Sequence, residues 1–221
     1  MTKRIALVHA VTAAMEPISD AFGALWPEAE CSNILDDSLP GDLERSGGLT
    51  PAIFGRFDAL GTYAADIGAD GLLFTCSAFG DAIDAVARKA PFPVLKPNEA
   101  MFEEAMGYGT EIGMLATFTP SVASMEHEFN AMAKARGVKA RIRTICVPDA
   151  MAALRHGDAA GHNALLADAA PQLAQCDAVM LAQFSTSRAE KAVAGRLSIP
   201  VLTSPKAAVR KLRSALQATE P

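Results

Sequence analysis

Cys76-Ser77 stands where an apolar run, Gly71-Leu72-Leu73-Phe74, gives way to a helical pattern. A thiol at such a junction faces the unpaired N–H groups that open a helix, which lower its pKa and favour the thiolate. The bland reading is a buried packing cysteine, the usual fate of a lone Cys in an α/β core. A single working thiol can attack as a nucleophile or move one proton. At the matching junction of a second apolar run, Ala178-Val179-Met180-Leu181, stands Gln183, 107 residues further on. A carboxamide hydrogen-bonds well but neither takes nor gives a proton near neutral pH.

That interval recurs along the chain. Shifted by 107, Arg4-Ile5-Ala6-Leu7-Val8 lies over Glu111-Ile112-Gly113-Met114-Leu115, Asp70–Phe74 over Asp177–Leu181, and Pro93-Val94-Leu95 over Pro200-Val201-Leu202. A repeat of this period implies two similar lobes with a site between them. Short aliphatic runs alternate with helical patterns, the sign of parallel strands joined by crossover helices. The fold class expected is α/β: two pseudosymmetric lobes, each a parallel sheet flanked by helices, with the active site in the inter-lobe cleft. The first lobe is expected over 1–97 with 208–221, the second over 98–207. Strands are predicted at 4–9, 29–35, 71–75, 93–95, 111–116, 141–147, 178–183 and 200–202. Helices are predicted near 14–25, 51–67, 79–89, 98–107, 121–136, 160–174, 187–196 and 205–217. Residues 36–50 read as a long irregular loop, because Pro, Gly and Asp break both periods. A loop of this length over a cleft is a lid or a plain surface loop. The tail from 217 to 221 reads as fraying.

In parallel sheets ligands sit beyond the carboxyl ends of the strands. Thr75-Cys76-Ser77-Ala78 and Ala182-Gln183-Phe184-Ser185 are two such ends, and Ala10-Val11-Thr12 and Thr117-Phe118-Thr119 are two more. Each opens a helix and offers free N–H groups, with hydroxyls at Thr12, Ser77, Thr117, Thr119, Ser121, Ser185 and Thr186. That donor set suits a carboxylate or an enolate-like oxyanion, and no phosphate-binding glycine loop is present. His9, ending the first strand, reads as a base, a carboxylate donor or a satisfied core histidine. Lys96 reads as a holder of a distal carboxylate or a solvated lysine. Asn98 and Glu99 read as helix-capping residues, and Phe79 and Phe184 as pocket lining or plain core. His127, His156 and His162 read as surface, and Cys31, Cys146 and Cys176 as packing.

Half the residues are hydrophobic, a fifth are charged and net charge is −5, so core material is ample and no basic cluster invites nucleic acid or an anionic membrane. The scattered cysteines have no metal-ligand spacing and read as reduced thiols. The start Met-Thr-Lys-Arg turns polar too soon for a signal peptide. No apolar run matches a membrane span. The expectation is a cytoplasmic protein with no metal.

Gly68-Ala69-Asp70-Gly71-Leu72-Leu73-Phe74-Thr75-Cys76-Ser77-Ala78 resembles the first cysteine motif of the aspartate/glutamate/hydantoin racemase superfamily. Gly113–Pro120 resembles its mid-chain strand and Thr-Pro turn. Cys176–Ser185 resembles its second motif, in which a cysteine normally stands where Gln183 is found. The resemblance implies an enzyme without cofactor, commonly a homo-oligomer, whose racemases remove a proton with one cysteine and return it with the other. The change at Gln183 disfavours that two-base reaction. It leaves single-cysteine chemistry on a small carboxylate or hydantoin-like substrate: a lyase, an isomerase, or desulfhydrase-like C–S cleavage on a thioxo-imidazolidinone propionate. On that reading Cys76 is nucleophile or single acid/base. Ser77, Ala78 and Thr119 cradle the oxyanion, and Gln183 clamps the substrate. The rivals are a non-catalytic small-molecule binding protein on the same scaffold and, with less support, a phosphate or nucleotide binder.

Overall fold

Among the described residues, eight parallel strands build two four-stranded sheets, and the order of strands in one repeats in the other. The computed structural model describes residues 2–218. The first sheet runs β2-β1-β3-β4, from β1 (Arg4–His9), β2 (Glu30–Leu35), β3 (Gly71–Phe74) and β4 (Val94–Leu95). The second runs β6-β5-β7-β8, from β5 (Glu111–Ala116), β6 (Arg141–Cys146), β7 (Ala178–Leu181) and β8 (Val201–Thr203). The chain divides into two units, Met1–Pro97 with Ala208–Pro221, and Asn98–Ala207.

Among the described residues, ten α-helices connect and flank the strands: α1 (Met15–Leu25), α2 (Leu39–Ser46), α3 (Pro51–Asp66), α4 (Gly80–Ala87), α5 (Glu99–Met106), α6 (Thr119–Ala135), α7 (Pro148–Arg155), α8 (Ala159–Ala169), α9 (Glu190–Ala194) and α10 (Ser204–Gln217). Short 3-10 turns at Thr12–Ala14, Ser77–Phe79 and Phe184–Ala189 lead from the tips of β1, β3 and β7.

Apolar side chains alternate across each sheet, as the two-residue pleat requires. In the second sheet Ile112, Met114, Ala178, Met180 and Leu202 join one cluster with Phe102 and Phe129, which meet edge to face at 5.6 Å. Leu115, Val179 and Leu181 join the other, with Leu166, Leu173 and Val193. In the first sheet Ala6, Val8, Leu72 and Phe74 share a core with Ile53 and Phe57 of α3. Phe57 stacks on Phe74 at 5.1 Å and tilts against Phe79 at 5.0 Å.

The sequence repeat survives as matching hydrogen bonds. The Asp70 carboxylate accepts from the backbone N–H of Arg4 at 2.8 Å, and that of Asp177 accepts from Thr110 and Glu111, each at 2.8 Å. The outer strands also begin alike, with charges reversed. Arg4 of β1 lies opposite Glu30 of β2, their side chains 3.4 Å apart. Glu111 of β5 lies opposite Arg141 of β6, at 3.8 Å.

Four expectations need correction. Residues 36–50 are not wholly irregular, because α2 forms within them. Pro40 fits its first turn and Gly47, at φ +67°, ends it in the left-handed conformation, so the breakers sit where a short helix tolerates them. Helix α7 was not expected at all, and Pro148 again occupies a first turn. His162 is fully buried rather than at the surface, because α8 is flanked by α7 and α9. Thr186 is buried and its hydroxyl donates back to the carbonyls of Ala182 and Gln183, so it is no ligand donor. The end of the fraying tail, 219–221, lies outside the described residues.

Candidate active site

The first sheet ends in a hydrogen-bonded rail that fixes the residue before the thiol. His9, at the tip of β1, is fully buried. Its Nε2 lies 2.9 Å from Asn33 Oδ1 on β2 and its Nδ1 lies 2.9 Å from Thr75 Oγ1 beyond β3. An amide oxygen only accepts, so Nε2 carries the proton and the Thr75 hydroxyl donates to Nδ1. Burial, larger than the opposing effect of Asn33, lowers the His9 pKa and keeps the ring neutral. With both nitrogens engaged, His9 is a structural pin across three strands, and Thr75 hands its position on to Cys76.

Cys76 follows in extended conformation (φ −120°, ψ 123°) at the start of the Ser77–Phe79 turn. Its side chain packs against the first core, and it shares a cavity of about 10 Å³ with Val8, Ala10, Leu39, Phe57, Phe74 and Phe79. Such a space holds one water at most. Burial raises the thiol pKa, and the hydrogen bond from the Ala78 backbone N–H only partly offsets it. The expected lowering by the helix start is therefore outweighed. The resting sulfur is S–H, not thiolate. Ser77 is half-buried, while Ala78 and Thr12 are exposed.

At the equivalent tip of the second sheet, Gln183 takes φ +62° and ψ 148°, alone among the described non-glycine residues in having positive φ. Its carboxamide is tied inward. Oε1 accepts from the Thr117 N–H at 3.3 Å and hydroxyl at 3.4 Å, and Nε2 donates to Ser121 Oγ at 2.7 Å and Met125 Sδ at 3.9 Å. The positions matching Thr117 and Ser121 in the first half are Ala10 and Ala14. The duplicated scaffold thus presents a thiol among apolar side chains at one tip, and an amide among hydroxyls at the other.

Thr119 is exposed and opens α6, whose first turn has no side-chain cap. Its Oγ1 lies 3.4 Å from Cys146 Sγ, a contact that the sequence reading missed when it set Cys146 aside. Only strand register reveals it, since Cys146 pairs with Ala116 at the tip of β6. It is no replacement for a thiol at position 183: β6 is two strands from β7, roughly 10 Å at ordinary sheet spacing. Ser185 is half-buried and Phe184 is buried core. Lys96, after β4, is partly buried, with Nζ 3.0 Å from Asp84 of α4. Asn98 precedes α5 without capping it, and accepts from Ser204 Oγ at 3.1 Å. No metal-binding cluster occurs among the described residues, and none of their helices is long and apolar enough to cross a membrane.

The family model described as Asp/Glu/Hydantoin racemase matches residues 50–210. No curated protein matches by sequence. Among solved structures, the chain is similar to allantoin racemase from Klebsiella pneumoniae, with TM-score 0.71, 19% identity, 98% of this chain and 89% of that one covered. It is similar to glutamate racemase from Thermus thermophilus, with TM-score 0.68, 19% identity and coverage of 98% and 81%. It is also similar to Picrophilus torridus aspartate racemase, with TM-score 0.67, 15% identity and coverage of 98% and 94%. At these identities the likeness is one of fold.

Proposed function

The chain belongs to the Asp/Glu/hydantoin racemase family, and we propose that it is a cytoplasmic, cofactor-independent enzyme acting through one cysteine, Cys76, on a small carboxylate or hydantoin-like substrate. The observation that carries this reading is the pair of equivalent strand tips, one with sulfur and one with a carboxamide. A reaction that exchanges protons on both faces of a carbon needs two groups that can ionise, and Gln183 is not one. Lyase, isomerase or desulfhydrase-type chemistry asks for only one.

The state of the thiol supports a role as proton donor over that of resting nucleophile. A largely desolvated S–H can deliver its proton to an enolate-like carbon, and that desolvation itself holds the proton in place. The backbone N–H and hydroxyl of Thr119, the first residue of α6, suit a substrate carboxylate. Four free cysteines support a reducing compartment.

The test is turnover of a panel of hydantoins, thiohydantoins, malonates and maleate by native protein and by Cys76→Ala. The variant is expected to fold and lose turnover by at least 10³-fold, and full activity would end the proposal. Native protein is expected to show no deuterium exchange with inversion, so efficient inversion would contradict the reading of Gln183. A non-catalytic binding protein is the second reading, favoured by the raised thiol pKa and the small cavity. It requires that substrates bind and that nothing in the panel turns over.

A further inference from the structure

Cys76, only partly exposed, lies beside a segment held largely by surface ion pairs. Of the residues lining its cavity, Val8, Ala10, Phe57, Phe74 and Phe79 belong to β1, α3, β3 and the turns at strand tips. Leu39 comes from the short helix α2. It is 1% exposed, whereas the rest of α2 is half-buried or exposed, and α2 packs only lightly on other elements. Besides the buried Leu39 and the partly buried Leu43, which packs on the same core, polar contacts hold α2. Arg56 of α3 donates to the carboxylates of both Asp36 and Asp42 and to Ser38 Oγ at 2.6 Å, and Asp42 also pairs with Arg45. Asp36 precedes α2 and Asp42 lies within it, so one guanidinium fastens both. These groups are a quarter to a third exposed, where ion pairs are weak and screened by salt.

We infer that α2 is a gate over Cys76, with Leu39 as its plug and Arg56 as its latch, and that the compartment it closes takes an uncharged apolar part of the substrate rather than an ammonium group. The inference rests on Cys76 as the working thiol. No carboxylate or free acceptor lines the cavity. Both nitrogens of the nearby His9 are engaged, and Asp36 and Asp42 are held by Arg56. Phe57 already packs on Phe74 at 5.1 Å and on Phe79 at 5.0 Å, so these rings leave a cation little of the face contact that would replace its water.

Three methanethiosulfonates with one reactive group test this: methyl, trimethylammonioethyl and sulfonatoethyl. In each case the thiolate sulfur attacks the reagent's sulfenyl sulfur, the S–S bond to the sulfonyl group breaks, and methanesulfinate leaves with the electron pair. Peptide mass spectrometry separates Cys76 from Cys31, Cys146 and Cys176, with Cys146 as reference. In native protein the methyl reagent is expected to modify Cys76 at least tenfold faster than the trimethylammonioethyl one, relative to their ratio at Cys146. Arg56→Gln is expected to speed modification of Cys76 by the methyl reagent at least tenfold, with Cys146 unchanged. Added salt at 1 M should act in the same direction on native protein, which keeps the test decisive if Arg56→Gln fails to fold. A Cys76 rate unmoved by salt in native protein, equal acceleration of both cysteines, or parity of cationic and neutral reagents at Cys76 would overturn the gate. Turnover retained by Cys76→Ala would instead remove the catalytic role and leave these rates as they are.

Discussion

Replacing Gln183 with alanine and with glycine separates backbone strain from side-chain bonding at the second strand tip. Both changes delete the same carboxamide, whose bond to Ser121 at 2.7 Å is well formed and whose bonds to Thr117, at 3.3 and 3.4 Å, are long. The shared loss is about 1–2 kcal/mol, set mainly by the Ser121 bond. The variants then part. A φ of +62° with ψ of 148° costs a residue with a Cβ about 1–3 kcal/mol and costs glycine almost nothing. In ordinary extended backbone glycine is the worse choice, by about 0.5–1 kcal/mol against alanine. Gln183→Gly is therefore expected to be the more stable variant by roughly 0.5–2 kcal/mol, the reverse of the usual order. At about 2–4 °C per kcal/mol for a chain of this length, that is a difference of several degrees in Tm, accessible to calorimetry or urea unfolding. Cys76→Ala and Cys76→Gly supply the control, since φ there is −120° and alanine should win. An alanine variant at 183 as stable as the glycine one would refute the strain.

Two further outcomes follow from packing and burial. Burial depresses the pKa of His162 most, Asn163 opposes this with a hydrogen bond, and the charge of Arg188 lowers it further. A depressed histidine favours the folded state fully above its unfolded value, about 6.5, and that contribution is lost as pH falls below it. His162→Leu should thus gain stability relative to native between pH 8 and pH 5, and parallel urea-unfolding curves across that range would contradict the assignment. Gly61 of α3 faces α4 so closely that a Cβ would stand 2.6 Å from Val86 Cγ1. Gly61→Ala should destabilise by about 1–2 kcal/mol despite better helix propensity, and Val86→Ala in the same chain should recover most of that. A stabilised single variant would show that the helices can part freely.

The strands were readable because those buried on both faces must be apolar, and the 107-residue shift superposes β1 on β5, β3 on β7 and β4 on the first two residues of β8. The outer strands escaped that shift, because α6 is longer than α1 and the register slips between β5 and β6. Helices α2 and α7 were hidden by prolines that end most helices but also begin them. The burial of His162 depends on how α7 and α9 pack against α8, a tertiary contact that no local pattern announces. At the candidate site, the types of Cys76 and Gln183 were legible. Their states were not: the direction of the Cys76 side chain, the Leu39 plug and the φ of Gln183 come from tertiary packing. Cys146 was passed over because its contact with Thr119 spans 27 residues and depends on strand register.

A chain made of two near-copies risks assembling one sheet with an edge strand taken from the other. The reversed ion pairs at the outer strands bear on that error. If β2 and β6 changed places in the same register, Arg4 would face Arg141 and Glu111 would face Glu30. Two attractions would become two repulsions, each pair shifting by a few tenths of a kcal/mol or more in the same direction. Opposite polarity in the duplicated edges thus marks each strand as native to its own half, a self-sorting label that identical copies would lack.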